Sequence, residues 1–194
     1  MIRATQAHRQ LVVNILVSAF KDVEEENTIN FIVGNGEKRI PKMEYLMGYI
    51  FDNSMLFGEV YIAANEKSCL LLSFSDQERV TFKSILLDIK FFFNCIGLKK
   101  VFGVLKRQRL MKKHYPKDEN YIKPVIMGAL KESYGSGSAA RLVISVMREY
   151  KENKKPVIVD TVSEYNINLY KKFGFRVLKI EDSLGFPITL LRLN

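Results

Sequence analysis

Tryptophan is absent from these 194 residues, and cysteine and histidine occur only twice each. That scarcity excludes a disulfide scaffold and leaves no Cys/His spacing for a zinc site. Cys69 and Cys95 fall within apolar segments and are expected to be buried free thiols. His8 and His114 stand apart, so no metal is expected. No apolar run reaches the roughly 20 residues needed to cross a bilayer. The first residues show a short strand and an amphipathic helix where a secretory leader would carry a charged start and an apolar stretch. A cytoplasmic location without a membrane partner is therefore expected. Internal repeats and low-complexity linkers are also missing, so one domain over residues 1–194 is expected.

Acidic residues are missing from one further place. Between Lys99 and Lys113 lie Lys99, Lys100, Lys106, Arg107, Arg109, Lys112 and Lys113 with no Asp or Glu, in a chain of net charge +9. Basic surfaces attract nucleic acid, anionic membranes or anionic cofactors. The stretch is expected to be a solvated helix or loop face, because regularly interleaved stacking aromatics and a groove-binding motif are both lacking. Nucleic acid is accordingly not the expected partner.

Hydrophobic residues make up 47% of the chain, ample for a core. Val12, Ile15, Leu16, Ala19 and Phe20 form one helical stripe, which Glu24-Glu25-Glu26-Asn27 follows as an acidic turn. Met43, Leu46, Met47 and Ile50 mark a second helix. Leu56 to Ala64 and Ser68 to Ser75 read as a β-hairpin turning at Asn65-Glu66-Lys67. A third helix carries Phe82, Ile85, Leu86, Ile89, Phe92, Phe93 and Ile96, and its Phe91-Phe92-Phe93 cluster is expected in the core.

The densest chemical signal is Tyr134-Gly135-Ser136-Gly137-Ser138-Ala139, two glycines and small residues set between an apolar strand-like run and an amphipathic helix. Glycines let the backbone bend and approach a ligand closely, while the first helical turn leaves N–H groups without partners. This junction suits a pyrophosphate-bearing cofactor. Ala139, Leu142, Val143, Val146, Met147 and Tyr150 then recur at helical spacing, and Val157-Ile158-Val159-Asp160-Thr161 follows as a buried strand. Strand, turn, helix and strand make a βαβ unit. A further helix, capped by Ser163 or Thr161, sets Asn166, Leu169, Tyr170 and Phe173 on one face and stops at Gly174.

The run from Tyr134 to Phe175 resembles the Gcn5-related N-acetyltransferases, whose cofactor turn reads Q/R-x-x-G-x-G/A and whose later helix reads N-x-x-x-Y-x-x-x-G-F. Gly137 and Ala139 match the small positions of the first motif, and Asn166, Tyr170, Gly174 and Phe175 match all four fixed positions of the second. Tyr134 stands where the family has Gln or Arg, and backbone N–H groups are expected to survive that change. The resemblance implies an α/β (α+β) acyl-CoA N-acyltransferase fold, a twisted mixed central sheet flanked by helices, closed by strands Phe175 to Ile180 and Ile188 to Leu193.

It also implies acetyl-CoA as co-substrate and acetyl transfer to a primary amine on a small molecule or peptide. Residues Tyr134, Gly135, Ser136, Gly137, Ser138, Ala139 and Asn166 would contact the cofactor. Met127, Gly128 and Ala129 would pair with its pantetheine arm and meet the developing oxyanion with a backbone N–H. Pro124 should sit at a strand start, edge or bulge. Tyr170 would protonate the departing thiolate. Candidate bases are His114, Glu119, Asp160 and Glu164. The acceptor would be shaped by loops around 21–40, 97–120 and 181–187. A catalytically inactive acyl-CoA sensor, a basic nucleic-acid-binding protein as a lesser alternative, and a homodimer stay open.

Overall fold

The computed structural model describes residues 1–96, 98–150, 152, 154–183 and 185–194, with the side chains of Ile96, Leu98 to Val101 and Arg107 outside the description. Seven strands form one sheet: β1 (Ile2–Arg3), β2 (Gly58–Ile62), β3 (Ser68–Phe74), β4 (Ile122–Ala129), β5 (Val157–Thr161), β6 (Arg176–Glu181) and β7 (Ile188–Leu193). Their order is β1-β2-β3-β4-β5-β7-β6. Every adjacent pair runs antiparallel except β4 and β5, which are parallel.

A parallel pair needs a crossover, and residues 130–156 supply it through helix α6 (Ser138–Glu149). The sheet is buried on both faces at its centre. Cys69 and Leu71 of β3 point into the layer of α1 (Arg9–Phe20), α2 (Thr28–Val33) and α3 (Arg39–Phe57), where Val12, Ile15, Leu16, Met43 and Met47 pack. Leu70, Leu72 and Phe74 point the other way, against Leu142 and Val146 of α6. Strand β3 is therefore a nearly continuous apolar run, as double-sided burial requires.

Several sequence expectations need correction. Helix α3 runs through Leu56 and Phe57 and ends at Gly58, so the hairpin's first strand begins later than its apolar run. The acidic turn does not simply trail off α1: Asn27 accepts from the Asn30 N–H at 2.9 Å and starts α2. The expected loop over 97–120 is largely helix, because α5 (Leu98–His114) occupies most of its described residues, while Gly97 lies outside the description.

The Phe82 to Ile96 stripe is the largest departure. It divides into α4 (Phe82–Phe91) and a π-helical turn, Phe92–Ile96. Phe91 stacks on Tyr49 of α3 with ring centroids 4.0 Å apart, and Cys95 is buried beside it. Phe82, at 84% exposed, and Phe93, at 74%, face outward with Ile85, Leu86 and Ile89. The physical reason is that α1 and α3 already cover that face of the sheet, so only one edge of α4 finds apolar surface.

Candidate active site

The site is built where β4 and β5 part. Their pairing is confined to Ile122↔Val157, with the Ile122 N–H donating to Pro156 O at 2.9 Å. Two residues on, Pro124 has no N–H to give to β5, and the β3–β4 register shifts beside it, so a bulge accompanies this proline as expected. At the far end of β4 the Leu130 N–H donates to Lys67 O at 2.8 Å. Strand alternation then turns the backbone of Gly128 toward β3 and that of Met127 and Ala129 toward the gap. Gly128 is explained by packing: a Cβ there would lie 3.0 Å from Leu16 Cδ2 and 3.2 Å from Ala19 Cβ of α1.

Beyond β4 the chain turns through Lys131–Ser133 and reaches the two glycines. Gly135 has φ +78° and Gly137 φ +73°, left-handed values at which a side chain is strained. Gly137 caps α6 at its N-terminus, and a Cβ built on Gly135 would meet nothing within 4 Å. The Ala139 and Ala140 N–H groups, in the first turn of α6, have no carbonyl four residues back within the helix. Tyr134 is exposed. Ser138 is oriented away from the turn's surface: its buried hydroxyl bonds Ser68 Oγ and Asn65 Oδ1, each at 3.0 Å, tying the turn to the β2–β3 hairpin. Arg141 instead reaches back over the turn, donating to Ser136 O at 2.9 Å.

Helix α7 (Glu164–Lys172) brings Tyr170 and, one turn earlier, Asn166, both half-buried. Gly174 stops the helix at φ +90°, and the Phe175 N–H donates to Tyr170 O at 3.0 Å. The Tyr170 ring packs on Phe175 at 5.3 Å, whereas Phe173, expected on the same face, is exposed. Burial, reinforced by the nearby negative charge of Asp160, raises the Tyr170 phenol above its usual pKa. The hydroxyl is thus a protonated donor at neutral pH.

The four candidate bases separate clearly. His114 Nε2 lies 2.7 Å from Glu181 Oε2, and Ser183 together with His114 holds the Glu181 carboxyl down to about 2. Glu119 pairs with Arg192, and Glu164 is exposed at the start of α7. Asp160, at the C-terminal end of β5, accepts from Tyr115 Oη at 2.5 Å and pairs with Lys123 Nζ at 3.0 Å. Lys123 stands at the start of β4 and over the Tyr115 ring at 4.6 Å from its centroid, while Tyr121 stacks on that ring at 5.4 Å. Burial works to lower the Lys123 pKa, but Asp160 and Tyr115 outweigh it and raise it. Tyr115 and Lys123 were not candidates in the sequence. Tyr115 falls in the segment from His114 to Tyr121 that leads into β4.

Asp160→Asn tests whether this group is a structural ion pair. Both side chains are less than a third exposed, so removing the carboxylate is expected to cost roughly 1–3 kcal/mol in chemical denaturation, the penalty of a poorly paired charge. Wild-type stability in the variant would contradict that role.

A cleft of about 890 Å³ opens between the α1–α2 connection and the β6–β7 connection, lined by Asp22, Glu24, Glu26, Phe31, Arg39 and Phe186 among others. It combines two of the three segments expected to shape an acceptor. Arg39 fixes one wall by donating to Asn30 Oδ1 at 2.8 Å, Gly34 O at 3.1 Å and Val23 O at 3.2 Å. Asp22 pairs with Lys131, just past β4, so the cleft adjoins the strand that leads to the glycine turn.

No protein-family model matches the chain, and no curated protein does. Solved structures match along its whole length. Histone acetyltransferase HPA2 and related acetyltransferase from Corynebacterium glutamicum is similar with a TM-score of 0.65 and 14% identity, over 98% of this chain and 93% of that one. The C-terminal condensation domain of Ebony, in complex with beta-alanyl-dopamine, gives a TM-score of 0.63 at 14% identity over 99% and 96%. A mosquito arylalkylamine N-acetyltransferase, like 5b, gives 0.56 at 13% over 98% and 97%. The seven-stranded mixed sheet with flanking helices is the acyl-CoA N-acyltransferase fold. It is the fold of the GNAT acetyltransferases, as the motifs around Gly137 and Tyr170 implied.

Proposed function

We propose that this protein is an N-acetyltransferase that uses acetyl-CoA and a primary amine. The observation that carries the reading is the opening between β4 and β5 beside a left-handed glycine turn at the start of α6. An extended arm can lie along the free edge of Met127 and Ala129, while a pyrophosphate faces N–H groups across a surface that no Cβ obstructs at Gly135. Tyr134 lends only an exposed ring at the head of the turn, and Ser138 contributes through its backbone.

Acetyl-CoA would supply a thioester carbonyl open to attack. As an amine forms the new C–N bond, a backbone N–H of Met127 or Ala129 would stabilise charge gathering on the carbonyl oxygen. As the C–S bond breaks, Tyr170 would give its proton to the sulfur. The amine's own proton would leave through water, with Asp160 the candidate acceptor at the site. Incubating the protein with acetyl-CoA and a panel of amines while detecting released thiol tests the reading; no thiol release above background with any amine would count against it. That outcome would favour a non-catalytic acyl-CoA sensor, a reading supported by the Tyr115 and Lys123 donors that already engage Asp160.

The 890 Å³ cleft is the proposed acceptor site. Agmatine, polyamine and arylalkylamine N-acetyltransferases are among the proteins with similar folds. Glu24 and Glu26 suit a cationic amine, Asp22 being paired with Lys131. Replacing Glu24 and Glu26 by Gln is expected to raise KM for such an amine roughly twofold to fivefold with kcat nearly unchanged, the effect of solvent-screened charges. An unchanged KM would place the acceptor elsewhere.

A further inference from the structure

Strands β3 and β4 are hydrogen-bonded antiparallel neighbours, which two to five residues can join, yet residues 75–121 stand between them. The inner side of this excursion is accounted for by packing. Phe91, Cys95 and Val104 enter the core with α2 and α3, and a Cβ on Gly103 would lie 3.0 Å from the Phe31 ring. Its outer side is not. On α5, Phe102, Leu105, Lys106, Arg109 and Lys113 share one helical face, opposite Val104 and Met111, which pack inward. Phe102 is 80% exposed and Leu105 50%, and with Leu110 these residues line a shallow groove of about 450 Å³.

We propose that this face of α5 binds the surface of an anionic lipid bilayer. The charge is one-sided, since the segment from Lys99 to Lys113 holds seven Lys and Arg and no acid. A second copy of the chain would bring the same cations and be repelled. Nucleic acid would satisfy the cations but leaves the aliphatic Leu105 without a use, because stacking requires an aromatic or guanidinium plane. A bilayer interface uses both features, seating Phe102 and Leu105 at the acyl boundary while Lys106, Arg109 and Lys113 meet headgroup phosphates. No helix among the described residues is long and apolar enough to cross a membrane, and interfacial binding needs none. The absence of a spanning run, which argued against a membrane partner in the sequence, therefore does not bear on this face.

Vesicle flotation with the whole 194-residue chain tests the proposal. Phosphatidylcholine vesicles containing one third phosphatidylserine are compared with phosphatidylcholine alone, at low and high salt. Binding is expected only to the anionic vesicles. It should fall at least tenfold in Lys106→Glu/Arg109→Glu, given about fivefold for each surface cation, and weaken at high salt. Phe102→Glu should weaken it at both salt levels while circular dichroism stays as in wild type. Equal binding to both vesicle types, full binding by Phe102→Glu, or a clear preference for mixed-sequence RNA or an acidic polypeptide over the vesicles would overturn it. None of these outcomes depends on whether the protein transfers acetyl groups.

Discussion

Tyr170→Phe is expected to lower turnover by roughly 10²–10⁴-fold, the usual worth of a positioned general acid, while affinity for acetyl-CoA changes little. The variant isolates the hydroxyl. Its ring still packs on Phe175 at 5.3 Å, and the helix still ends at Gly174 through backbone bonds that the side chain does not make. Because burial and Asp160 raise the phenol above its usual pKa, the wild-type donor stays protonated across neutral pH. Loss of activity toward alkaline pH should therefore not begin near pH 8 through Tyr170 itself. Turnover and cofactor affinity measured on one acceptor decide the matter: an unaltered rate would remove Tyr170 from the reaction, and a loss below tenfold would assign proton donation to water.

What was legible in the sequence is what local spacing encodes. Asn166, Tyr170, Gly174 and Phe175 sit within one helix and its stop, so their relation is fixed by helical geometry before any tertiary contact forms. The Gly135–Gly137 turn is equally local, and both residues adopt the left-handed conformation that only glycine enters without strain. The Lys123, Asp160 and Tyr115 group was not legible, apart from Asp160's place at a strand end. Its members lie on β4, on β5 and just past α5: the short parallel contact at Ile122↔Val157 sets β4 beside β5, and packing with Ile158 and Leu190 holds Tyr115 there. Periodicity failed differently at α4: it correctly marked a helix, but an apolar stripe carries no record of what covers it. The sheet face was already filled by α1 and α3, so Phe82 and Phe93 remained outside.

Tyr170 acts only if acetyl-CoA is held beside it, and the sharpest probe of that holding is Gly137→Val. At φ +73° a β-branched side chain is strained by roughly 1–3 kcal/mol, and its Cβ would meet Arg141 Nη1 at 3.0 Å. Arg141 is long and can swing aside, so the lasting consequences are backbone strain and a hydrocarbon branch over the N-terminus of α6, where the pyrophosphate would approach. Thermal stability should fall modestly and acetyl-CoA affinity by at least tenfold, read by calorimetry on protein shown to be folded by circular dichroism. Arg141→Ala separates the two effects, since it removes the contacted guanidinium and its bond to Ser136 O but leaves both glycines and the N–H groups at the start of α6 in place. If the turn's backbone grips the pyrophosphate, Arg141→Ala should bind acetyl-CoA more tightly than Gly137→Val does. A folded Gly137→Val protein with unchanged affinity would mean that the glycine turn is only a turn, and the cofactor assignment would fall with it.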